Sequence, residues 1–172
     1  YDFSEIVGFI GIRLTVYLKD KGFSGDIINS VYSADALNPY LIYNKCKITK
    51  DFIEKEDAIN FLSAYRRINS IIKDFNFNEK KIFPNKFSSR YEEKLYKNIM
   101  DFRESITKKK ILPNYSSNLN SVLILTSFIN SFFDNVTVNS EDSDEKNNRF
   151  NLLLFCKETL NLVCDFSKIK EK

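Results

Sequence analysis

The sequence predicts an all-α protein, and three observations carry that reading. Apolar residues recur three and four apart through most of the chain. Glycine and proline number only four and three in 172 residues, too few for the tight turns of a sandwich or barrel. The breaks between periodic stretches are short. The expected architecture is a helical bundle of about six to seven helices spanning 1–172, a single helical region of a larger protein with a sub-boundary near 76–89.

Phe3, Ile6, Ile10, Leu14 and Tyr17 place the first helix, and Gly22 stands where a left-handed residue would end it. Gly8 and Gly11, in GFIG, lie inside that apolar pattern, so they read as close packing rather than the backbone clamp of a KH loop. Ser24 or Gly25 opens a short second helix, and Pro39 suits the first turn of a third running toward Lys50. Ala58, Phe61, Tyr65, Ile68, Ile72 and Phe75 define the fourth and leave Arg66, Arg67 and Asn69 off its apolar face. Periodicity then fails between Asn76 and Ser89, around Pro84, so an exposed connection is expected there. Tyr91, Leu95, Ile99, Phe102 and Ile106 carry the fifth helix, followed by a basic turn at Lys108, Lys109 and Lys110. The sixth, from about Ser117 to Phe132, is apolar nearly all round and is expected in the middle of the bundle. In the last, Glu141, Asp142, Asp144 and Glu145 sit at the positive end of the helix dipole rather than forming a metal loop. Leu152, Leu153, Cys156, Leu160 and Val163 then share one face.

Composition narrows the function. Hydrophobic residues at 43% and charged ones at 28% describe a folded chain rather than a disordered one. The formal charge, 26 − 23 = +3, permits an anionic partner and equally describes an ordinary solvated surface. No apolar run approaches the roughly 18 to 20 residues of a membrane span. With neither an initiating Met nor a basic leader, Tyr1 reads as the cut edge of a larger protein. Cys46, Cys156 and Cys164, odd in number and without a C-x-x-C pair, read as buried thiols in a reducing compartment. Histidine is absent, which removes imidazole-based catalysis and most zinc sites; no catalytic or metal residue is assigned.

Three runs carry a resemblance. Phe132, Phe133, Asp134, Val136, Val138, Glu141 and Asp142 form one; Asn148, Arg149, Leu152 and Leu153 the next; Asp165, Phe166, Ser167 and Lys168 the last. In this pattern the chain resembles the C-terminal region of the beta subunit of bacterial-type glycyl-tRNA synthetase. Upstream, Phe9, Arg13, Leu14, Gly22, Phe23, Asp26 and Ile27, then Ala64 to Ile71, extend the likeness over essentially the whole chain. Thr137, Asn139, Lys146, Phe150 and Cys164 depart from the family pattern. The resemblance implies a DALR-type anticodon-binding domain, non-catalytic itself, within a cytoplasmic glycine–tRNA ligase. It implies glycine tRNA and the alpha subunit of a heterotetramer as partners, with ATP and Mg used by that alpha subunit and no cofactor in this segment.

An anticodon loop presents phosphates and splayed bases, and so calls for cations, stacking planes and amides. On that basis the candidate RNA-binding residues are Arg66, Arg67, Asn69, Lys146, Asn148, Arg149, Lys108, Lys109 and Lys110. For Arg149 the competing reading is an ion pair with a carboxylate such as Glu145, and for the lysine triplet a solvated loop. Phe132 and Phe133 read as core rather than stacking platforms. Asp165 to Lys168 is not a synthetase lysine loop, because the companion histidine motif is missing. Two alternatives stand beside the main reading. The DALR domain of an arginyl-tRNA synthetase is disfavoured by the ending Asp165 to Ile169. A helical protein-interaction module without RNA binding would expose an apolar groove, whereas the RNA reading expects a basic face bordered by Arg66 or Arg67 and Arg149.

Overall fold

Gly22 (φ 83°) turns the chain out of its first helix, α1 (Phe3–Asp20). Its amide donates to the Lys19 carbonyl at 2.9 Å and the Phe23 amide to that of Leu18 at 3.2 Å, which folds Phe23 back into the core. The computed structural model describes residues 3–32, 38–77, 79–108 and 115–170. After α1 the described residues form α2 (Gly25–Val31), α3 (Pro39–Ile53), α4 (Glu56–Ile72), α5 (Arg90–Lys108), α6 (Tyr115–Asn135) and α7 (Ser143–Leu160), with 3-10 turns at Pro84–Lys86 and Phe166–Lys168. No strand occurs among them, as the all-α expectation requires. No described helix is long and apolar enough to cross a membrane.

Local chemistry sets the helix starts. Asn38 Oδ1 accepts the Leu41 N–H at 3.1 Å with Pro39 in the first turn of α3. Asp142 Oδ1 accepts the N–H groups of Asp144 and Glu145 at 2.8 and 3.0 Å, so the acidic run caps α7. Those donors hold the Asp142 carboxyl below its ordinary range. Of the GFIG glycines only Gly11 is approached closely, since a Cβ there would overlap the Tyr32 hydroxyl; Gly8 faces open space.

The buried side chains, from Leu14 to Ile169, form one continuous cluster. The C-terminal turn closes it: Phe166 stands edge-on to Phe61 at 4.9 Å and 5.6 Å from the ring of Tyr65, whose hydroxyl donates to Asn161 at 2.8 Å. The Asp165 amide donates to the Ser30 carbonyl at 2.9 Å, tying this turn to α2.

Two helices differ from expectation. α6 packs against α3, α4 and α5, but Ile124 is 67% exposed, with the exposed Ser127 and Asn130 nearby along the helix, so α6 is not covered all round. α7 was expected to bury one face; instead Asn148 to Leu153 are six successive buried residues. The polar members of that run are enclosed because residues 79–88, a strap, cross α7. Asn148 accepts the Phe83 N–H at 2.8 Å and donates to the Phe83 carbonyl at 3.0 Å. Asn151 Nδ2 donates to the Lys81 carbonyl at 2.9 Å. The Phe83 N–H and the Lys81 carbonyl, in a stretch without helix or sheet partners, are thus satisfied by side chains of α7.

Candidate nucleic-acid interface

The strap runs into α5 through Ser89-x-x-Glu92, a capping box: Glu92 reaches back to accept the Ser89 amide at 2.9 Å and the Ser88 amide at 3.1 Å. Glu92 is 1% exposed, and its other oxygen accepts from Arg149 Nε at 3.1 Å. The same guanidinium reaches Glu145 at 3.0 Å, the Ser88 hydroxyl at 2.7 Å and the Thr137 carbonyl at 3.1 Å. Arg149 therefore joins α7, the start of α5 and the turn before α7 from inside. Arg149 and Asn148, both buried, spend their hydrogen-bonding groups within the fold instead of bordering a basic face. The ion pair with Glu145 is present, and the larger partner is Glu92, 57 residues away.

What reaches solvent on this side is the strap. Lys80, Lys81 and Lys86 are exposed along it. Lys86 pairs with Asp144 at 2.7 Å and Lys80 with Glu158 at 3.8 Å, exposed pairs that a phosphate can displace at little cost. On either side lies a groove, and Lys81 and Asn151 line both. One, about 280 Å³, is walled by Phe75, Phe83 and Asn147. The other, about 240 Å³, is walled by Ile82, Tyr96, Met100, Leu154 and Phe155. Tyr96 and Phe155 are half-buried with ring centroids 6.2 Å apart, and the Arg103 guanidinium lies 5.2 Å over the Phe155 ring. Cations, ring faces and amides stand together here, the set that single-stranded RNA needs.

The other candidates are scattered. Arg67 is exposed on α4, its guanidinium 4.3 Å over the ring of the buried Phe133, at a groove of about 680 Å³ between α4 and α6 lined also by Asp57, Asn60, Thr126 and Asn130. Arg66 is half-buried and engaged, and Asn69 is half-buried one helical step on. Lys146 is half-buried on α7. Lys108 ends α5, and its side chain, Lys109 and Lys110 lie outside the described residues. Among the described residues α1 carries an exposed apolar face, where Phe9, Ile12 and Val16 are 59%, 67% and 52% exposed.

The thiols take no part in this surface. All three cysteines are free and buried. Burial, with the Cys164 thiol nearby, pushes Cys46 up to about 11, and burial raises Cys156 and Cys164 as well, so none is a thiolate near neutral pH. Burial likewise raises the phenols of Tyr65 and Tyr115.

Sequence reasoning missed Glu92, Tyr96, Asn151, Phe155 and the strap lysines. Glu92 had a local signal in Ser89-x-x-Glu92; Tyr96 and Phe155 sit at half-buried flanks of their helices, outside the apolar patterns that placed α5 and α7.

A family model described as "DALR anticodon binding domain" matches residues 61–170, from α4 through the strap to the C-terminal turn. Among curated proteins, the glycine–tRNA ligase beta subunit of Persephonella marina is 33% identical over 165 residues, covering 96% of this chain and 23% of its own length. That of Sulfurihydrogenibium sp. is 33% identical over 169 residues, covering 98% and 25%. The one from Thermodesulfovibrio yellowstonii is 33% identical over 166 residues, covering 96% and 24%. The chain thus spans about a quarter of the length of these relatives.

Proposed function

The chain belongs to the DALR anticodon-binding domain family, and from that premise we propose that it grips the anticodon arm of glycine tRNA as part of a glycine–tRNA ligase beta subunit. One observation carries the placement: three exposed lysines on a single strap, bordered by two grooves with aromatic and amide walls. Lys80, Lys81 and Lys86 meet phosphates, Lys80 and Lys86 exchanging solvent-exposed acidic partners for the RNA backbone. The ring faces of Tyr96 and Phe155 offer stacking to bases that leave the loop. The buried Arg149–Glu92 pair contributes by fixing the strap, so that these groups are in position before RNA arrives. This segment carries out no bond-making step. Glycine activation falls to an alpha subunit that uses ATP and Mg, in a cytoplasmic heterotetramer with the beta subunit, as the resemblance to the beta subunits implies.

The test is titration of the chain against glycine tRNA at low and moderate salt. Binding that weakens with salt is expected, and Lys81→Ala should lower the salt slope by about 0.7 if its phosphate lies in the single-stranded loop. An unchanged slope in Lys81→Ala, Lys80→Ala and Lys86→Ala alike would remove the strap from the interface.

A further inference from the structure

α1 is apolar on two opposite faces, and the described fold covers one of them. Leu14 and Leu18, four apart, are buried; Phe9, Ile12 and Val16, three and four apart, stand about half a turn round the helix and are mostly exposed. Ile10 and Tyr17, also exposed, widen that outer stripe. A helix apolar on both faces belongs between two packed layers. The glycines show the same asymmetry. Gly11 is met by the Tyr32 hydroxyl of the inner side, whereas Gly8, one turn before Ile12, has nothing within 4 Å. Glycine weakens a helix unless its bare backbone admits a close neighbour, and among the described residues Gly8 has none.

Size and place in the chain restrict what covers the stripe. Stable interfaces between separate chains use roughly 20–30 residues a side, far more than the few large side chains on this face. A segment of the same polypeptide needs less, because the tether supplies an effective concentration that a free partner lacks. α1 also lies outside residues 61–170, which match the anticodon-binding family, but within the span shared with glycine–tRNA ligase beta subunits, of whose length this chain covers about a quarter. We infer that the outer face of α1 packs against the remainder of the beta-subunit polypeptide, an apolar face that closes on Phe9, Ile12 and Val16 and approaches Gly8. Through α2, which the Ser30 carbonyl ties to the C-terminal turn, this docking fixes how the bundle is held on the rest of the subunit. The inference rests on the beta-subunit reading above, not on RNA binding.

Hydroxyl-radical footprinting of the full-length beta subunit, read residue by residue by mass spectrometry, needs no substitution and carries its own references. Phe9 is compared with the fully buried Phe61, and Ile12 with the fully buried Ile42 and with Ile124, which is 67% exposed like Ile12 itself. With each rate normalised to the denatured subunit, Ile12 should be modified about tenfold more slowly than Ile124, and Phe9 as slowly as Phe61, since covered side chains react only through local opening. Modification of Ile12 at the rate of Ile124 overturns the inference. Protection that disappears on dilution assigns the face to a second copy, and protection that appears only when the alpha subunit or tRNA is added assigns it to that partner; each likewise overturns the intrachain interface. Glycine tRNA titrated against the same preparation reports separately, so a failure of RNA binding is distinguishable from a failure of this interface.

Discussion

Arg149→Ala should destabilise the fold, with RNA affinity falling only because less of the protein is folded. The guanidinium is 8% exposed and lies 3.1 Å from a carboxylate, Glu92, that is 1% exposed. At that separation and an effective dielectric of about 20, the attraction is on the order of 5 kcal/mol before desolvation is subtracted. The substitution leaves Glu92 with its amide donors from Ser88 and Ser89 but without its cation, and it strips a donor from the Thr137 carbonyl and the Ser88 hydroxyl. Removing one member of a buried pair in this way costs about 3–5 kcal/mol. Glu145, one-third exposed, adds little to the loss. Set against a total stability of about 5–15 kcal/mol, that is about a fifth or more of what holds a domain together. Urea denaturation followed by circular dichroism reads the effect. With a slope of about 2 kcal/mol per molar, the midpoint should fall by about 2 M. RNA affinity extrapolated to the fully folded population should be unchanged. A variant with the parent midpoint and lost RNA binding would refute this reasoning, and would return Arg149 to the surface as a contact residue.

Gly22→Ala should cost about 1–2 kcal/mol, the penalty of a left-handed conformation for a residue with a Cβ, read as a lower urea midpoint. Arg67→Ala removes a cation over the Phe133 ring and should cost about 0.5–1 kcal/mol; tRNA affinity should stay within twofold, since the proposed contacts lie on the strap. The three thiols should resist a disulfide-exchange reagent at pH 8 in the folded chain and react fully in denaturant, because burial keeps each protonated. In acid, Asp142 has a folded pKa lowered below 3.8; its contribution is present above that value and is lost as pH falls through the lowered one, so the first turn of α7 should fray there, visible by amide exchange. In alkali the sign reverses. Cys46, raised from 9.0 to about 11, contributes stability below pH 9 that disappears as pH rises through the folded value, and a lower urea midpoint at pH 11 than at pH 8 is the expected result.

Features legible in the sequence were those decided by near neighbours. The apolar spacing of α4, the stop at Gly22, the entry at Pro39 and the acidic cap at Asp142 each depend on residues within a turn or two. The interface was not local. Arg149 meets Glu92 across 57 residues, Asn148 meets Phe83 across 65 and Asn151 meets Lys81 across 70, and no periodicity encodes such pairings. Residues 76–89 looked like a spacer because they lack an apolar pattern; they are held instead by side chains bonding to backbone, which leaves no periodic trace. Spacing also marks which residues of a helix are apolar without saying which of them are covered. In α1, Leu14 is buried, whereas Ile10 and Tyr17 from the same pattern are 41% and 48% exposed.

Photo-crosslinking tests the central claim most directly: glycine tRNA carrying 4-thiouridine in its anticodon loop is bound to the full chain, irradiated, and the attached residues are identified by mass spectrometry. The account predicts attachment within the strap, 79–88, and on the flanks of α5 and α7 that carry Tyr96 and Phe155. Attachment confined to the groove between α4 and α6, or to the exposed apolar face of α1, would contradict it.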